Sequence, residues 1–184
     1  MDNDYQEMFA AIDVCYSRAL QIPCLVLLYT TIDALGWLAY GDIEKSAKNR
    51  FVHWADSYLM SRLACEFSAL DLYAARCSVL HGLSWESSLS EKGQAKYLIY
   101  AMGRDTEAVP ELSKAFFSDT TVACLHVDAF ISALKTAVSD FYEQVKRDPA
   151  MASRLRQAQG KRFAKIPIAL YEKTMKEIAR IKGI

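Results

Sequence analysis

Asp71-Leu72-Tyr73-Ala74-Ala75-Arg76-Cys77-Ser78-Val79-Leu80-His81-Gly82 carries only two formal charges, Asp71 and Arg76, on a run that is otherwise mostly apolar or small. A helix of that composition has almost no face suited to solvent, so neighbouring elements must cover it. The pattern extends back to about Ala64, and Gly82 suits a left-handed C-terminal cap. The stretch therefore predicts a buried helix, about 64–80, at the centre of a mainly α protein.

The flanking sequence supplies covering helices. Over residues 4–20, Met8, Phe9, Ile12, Cys15, Tyr16, Ala19 and Leu20 recur at spacings of three and four, one apolar stripe. Pro23 fits the first turn of a second helix, where its missing N–H costs nothing, and that helix stays apolar on nearly every face until Gly41 ends it. A third helix is predicted from about Asn49 to Leu63, with Phe51, Trp54, Tyr58 and Leu59 inward. Residues 84–93 read as loop. The stretches 97–102 and 121–127 have aromatic and β-branched character, and predict a two-stranded excursion joined through a segment containing Pro110. Asp128 is the expected N-cap of a long closing helix striped by Phe130, Ile131, Leu134, Ala137, Val138, Phe141, Tyr142 and Val145. Asp148-Pro149 should end it. The expectation is a bundle of about five helices over residues 1–147. A basic, partly helical C-terminal extension follows over 148–184, with a last helix near Ile168–Ile181.

Composition narrows the functional classes. The chain has 184 residues, 52% of them hydrophobic, and no formal net charge. The balance is uneven, because eleven Lys or Arg against three acids give residues 145–184 a charge of +8 and leave −8 on the rest. Such a tail either binds phosphates or folds back on the acidic body, and the sequence leaves both open. Its aromatics are few, Phe163 and Tyr171, which favours a solvated face over a base-stacking surface. Five cysteines, odd in number and without a C-x-x-C, argue against a disulfide framework and a zinc site. The acidic start Met1-Asp2-Asn3-Asp4 is unlike a secretory leader, so a cytoplasmic location is expected. Residues 22–40 approach the length of a membrane span but contain Asp33, whose mid-bilayer cost of about 2.5–3.5 kcal/mol favours a core or interface helix. No membrane contact is expected. No phosphate loop, dinucleotide fingerprint, zinc-protease motif or nucleophile elbow is present, and no cofactor or metal is expected.

What remains is Arg76 with His81 five residues on. An imidazole moves a proton near neutral pH, and the helix C-terminus favours its charged form. A guanidinium holds phosphate oxygens and offsets charge that grows in a transition state. Five helical residues separate the two side chains by about 140°, so one chain does not bring both onto a narrow face. A site shared by two copies would bring a second pair into reach. Two helices apolar all round also predict a homodimer. The structural alternative is that Arg76 neutralises Asp33 or Asp71 while His81 caps carbonyl groups.

Arg76-Cys77-Ser78-Val79-Leu80-His81 on this helix resembles the hallmark of the HEPN superfamily, an Arg, four to six residues, then a His at the end of a core helix. The resemblance covers about residues 5–147, including Tyr29-Thr30-Thr31-Ile32-Asp33 and the closing helix. It implies a HEPN-like helical bundle and a metal-independent endoribonuclease, such as a toxin or defence protein, acting on RNA at a dimer cleft and sometimes held by an antitoxin or other partner protein. Arg76 and His81 are then the catalytic candidates, with Asp33, Tyr73, Cys77 and Ser78 as auxiliary or RNA-binding ones. Cys77 departs from the polar Asn or Asp common after the Arg in that family. The rival expectation is a non-catalytic dimeric domain that binds nucleotide, nucleic acid or protein in the same cleft. Tyr73 and Cys77 have core-packing alternatives, and Ser78 can bond its own helix backbone. His53 and His126 fit ordinary structural positions.

Overall fold

The computed structural model describes residues 3–63, 66–103, 121–160 and 168–182. The protein is mainly helical with a small parallel sheet. Helices α1 (Asn3–Ser17) and α2 (Gln21–Tyr40) come first, then α3 (Ala47–Trp54), which runs on through a π turn, Ala55–Leu59, and a 3-10 turn, Met60–Arg62. Next are α4 (Ala69–Gly82), the single turn α5 (Ser88–Glu91), and strands β1 (Tyr97–Ala101) and β2 (Val122–His126). Three more helices follow: α6 (Val127–Arg147), α7 (Pro149–Gln159) and α8 (Ile168–Lys182).

α2 is the hub, packing against α1, α3, α4 and α7. Leu28, Ile32 and Leu35 form one sealed stripe of this helix, with Tyr29 buried beside it, while Val26 and Trp37 on the other side are only partly covered. Gly36 sets the spacing to α3, because a Cβ there would lie 2.9 Å from the Arg50 carbonyl oxygen. Among the described residues α2 is the one helix long and apolar enough to cross a membrane, and 56% of its apolar window is buried in the protein. Deeper in the core, Phe51, Trp54, Phe130 and Phe141 form a ring-rich centre, and the expected stripe of α6 faces it.

Several boundaries differ from expectation for identifiable reasons. α1 stops at Ser17 because Ala19 adopts φ 53°, which leaves Leu20 exposed rather than on the stripe. α4 begins at Ala69, not 64, because Ser68 and Asp71 form a reciprocal capping box. Asp71 also accepts the Lys96 N–H at 2.6 Å, so it anchors β1 to α4 and is not the partner of Arg76. Gly82 is not the left-handed cap; Leu83 is, at φ 46°. His126, not Asp128, occupies the N-cap of α6, and Asp128 is the acid of its first turn. The loop 84–93 contains the α5 turn, capped by Ser87.

The two-stranded element is present and parallel, with Tyr97 opposite Val122 and Ala101 opposite His126. The Pro110 connection lies outside the described residues. Tyr29 Oη meets Tyr100 Oη at 2.7 Å, tying α2 to β1, and burial pushes both phenols up. At Asp148 the chain turns straight into α7, whose N-terminal amides of Ala150 and Met151 donate to the Asp148 carboxylate. Met151 and Leu155 join the core, so the change of composition at 147/148 is not a gap in packing. α8 carries Tyr171, Met175, Ile178 and Ile181 exposed.

Candidate active site

The site assembles where α2 and α4 cross. Arg76 projects from α4 onto Asp33 of α2, with Nε and Nη2 each 2.7 Å from Asp33 Oδ2. This is the pairing that one reading of the sequence anticipated. Two guanidinium donors converge on one carboxyl oxygen, a charge-assisted arrangement. The pair is half-sealed, with 16% of the Arg76 side chain and 24% of the Asp33 side chain exposed.

The other edge of the guanidinium faces outward. Nη1 lies 3.0 Å from His81 Nε2 and 3.9 Å from Cys77 Sγ. The two candidate catalytic groups of one chain therefore do meet. The helical angle between residues 76 and 81 describes where the side chains leave the backbone, and the length of Arg76 closes the remaining distance. Arginine has only donors, so a hydrogen bond across this gap requires Nε2 to accept. His81 is exposed, as a group that exchanges protons with a substrate must be.

Burial works against the charge on Arg76, yet the hydrogen bond and charge of Asp33 hold the guanidinium above its ordinary range. For Asp33, burial is the larger influence and pushes the carboxyl up, opposed by the hydrogen bond and charge of Arg76 and more weakly by Arg50. Tyr73 completes the wall: its ring lies 5.9 Å from Arg76 Cζ and meets Phe51 edge-on at 5.5 Å. Burial, then a hydrogen bond with Cys77, push its phenol up.

Asp33, Tyr73, Arg76, Cys77 and His81 thus form one cluster. Ser78 does not join it, being buried and donating 3.0 Å to the Ala74 carbonyl of its own helix. His53 packs edge-on against Tyr40. Arg50 was not foreseen; its Nη1 donates to the Glu44 and Lys45 carbonyls at 2.8 Å while its charge reaches Asp33. No spacing in the sequence connects residues 33 and 50, because they meet only through the α2–α3 approach at Gly36. Among the described residues, no group of three or more His, Cys, Asp or Glu gathers in metal-binding proximity.

The Asp33–Arg76 pair yields a direct expectation. Asp33→Ala strands a half-buried cation and should cost about 1–3 kcal/mol in urea unfolding, toward the lower end because part of Arg76 reaches water. An unchanged midpoint would mean that solvent replaces the carboxylate fully.

Comparison with protein-family models, with curated proteins and with solved structures finds no match for this chain.

Proposed function

We propose that the protein is a HEPN-type, metal-independent endoribonuclease acting as a cytoplasmic homodimer. The observation that carries this reading is the 3.0 Å approach of Arg76 Nη1 to Nε2 of the exposed His81. Asp33 fixes the guanidinium from behind, so Nη1 is presented rather than free to wander. A phosphate oxygen of RNA competes for Nη1 and releases the Nε2 lone pair. His81 then takes the proton of a 2′-hydroxyl, the 2′-oxygen bonds to phosphorus, and the 5′-oxygen leaves. Arg76 offsets the charge that builds on the phosphorane oxygens. The leaving oxygen needs a proton, which His81 of the second copy, in its imidazolium form, would donate.

This chemistry fixes the product ends. RNA incubated with the protein in excess EDTA should yield 2′,3′-cyclic phosphate and 5′-hydroxyl termini. Intact RNA, or 3′-hydroxyl and 5′-phosphate ends, would overturn the reading.

Cys77 favours a second reading, a dimeric domain that binds nucleotide, nucleic acid or a partner protein such as an antitoxin without turnover. A thiol at 3.9 Å is a weak acceptor for Nη1, where a polar neighbour would orient it more firmly. That reading predicts binding by the wild type and by His81→Gln, with no cleavage by either.

A further inference from the structure

Beyond the Arg76–His81 cluster, α2 and α4 frame a second feature. Asp33 pairs with Arg76, whereas Gln21, Ile22 and Leu25, earlier on α2, lie with Val79 and Leu83, later on α4. The two helices therefore run antiparallel. Their shared surface continues from the cluster into an open groove of about 320 Å³, closed on the far side by Trp85, Leu98, Ile99 and Tyr100. Val79 is one helical turn past Arg76, about 4.5 Å along the axis.

Three observations set this groove apart. Ile22, Leu83 and Trp85 are 50%, 66% and 51% exposed, and these large apolar side chains line one groove. Leu83 occupies the left-handed region although Gly82, directly before it, would have taken that conformation without a Cβ penalty. The chain tolerates this strain and thereby puts a leucine at the lip, which is where strain carries functional information. Trp85 is backed by Tyr97, with ring centroids 4.9 Å apart at 36°, so the indole is a supported platform. The volume lies at the small end of ligand pockets, a size for one planar ring rather than a helix.

The geometry points to a nucleobase site, with the base stacked on Trp85 beneath the Leu83 and Ile22 side chains, the Gln21 amide and Ser84 hydroxyl facing its edge, and the phosphate reaching back to Arg76 and His81. It deepens the proposed function, on which it rests for the phosphate, by making Trp85 and Leu83 specificity residues.

Calorimetric titration with adenosine 5′-monophosphate and with ribose 5-phosphate, which lacks the base, tests it. The nucleotide should bind the wild type about 5- to 150-fold more tightly, the range that base–aromatic stacking carries. Trp85→Ala should abolish that advantage, and Trp85→Phe should keep most of it. Leu83→Gly should raise the melting temperature by relieving the backbone while weakening the nucleotide, which separates binding from folding. Equal affinities of the two probes for the wild type, or a Trp85→Ala protein that still prefers the nucleotide, would overturn the site. So would sedimentation in which Trp85→Ala dissociates the homodimer, since the groove would then be a contact between copies. RNA cleavage without base discrimination removes this site and leaves the nuclease; base-dependent binding without cleavage does the reverse.

Discussion

His81→Ala should slow RNA cleavage by about 10²- to 10⁴-fold, the range that a positioned general acid–base contributes. Because the imidazole is exposed, the same change should move unfolding stability by no more than about 0.5 kcal/mol. The two measurements together separate chemistry from folding. Arg76→Lys is the informative companion, since an ammonium keeps the charge but cannot hold Asp33 with one edge and a phosphate with the other. If His81→Ala cuts RNA at the wild-type rate, the catalytic assignment is lost whatever Arg76→Lys does.

Phe51→Ala should produce the largest loss of stability, about 3–5 kcal/mol. Phe51 is completely buried and packs against Tyr29 at 6.5 Å and Tyr73 at 5.5 Å, between the hub helix and the site wall. Removing it opens a cavity that α2 and α3 cannot close, because they already touch backbone to backbone at Gly36. Against a total of about 5–15 kcal/mol for a typical domain, such a loss leaves little margin. Urea unfolding measures it. A loss below about 1.5 kcal/mol, the size of a volume-conserving exchange, would show that the core relaxes around the gap.

Much of the fold was legible because burial writes itself into composition. The α6 stripe had to face inward and does, while α2, expected to be covered all round, is buried over about half of its residues. Both strands were placed to within one or two residues, but no local pattern states that they pair parallel. Helix ends were harder, because they depend on which competing polar group captures an amide. Ser68 with Asp71 moved the start of α4, and Leu83 took the cap that glycine chemistry assigned to Gly82. At the site, Asp33 as the partner of Arg76 was one of two readable options, and the structure chooses it because Asp71 is spent on Ser68 and Lys96. The meeting of Arg76 with His81 was not readable, since periodicity locates Cβ atoms and says nothing of how far an arginine reaches.

The parallel pairing of β1 and β2 also constrains the order of assembly. Tyr97 and Val122 are 25 residues apart, and a parallel pair has no tight turn from which it can zip. Closing that long excursion costs chain entropy before any ladder bond offsets it. The Tyr29–Tyr100 bond, which spans 71 residues, is likewise a long-range contact. Local helices can therefore form and collide early, while the sheet registers late. Trp85, tilted against Tyr97 at the first position of β1, ties the segment after α4 to the strand that must find that register.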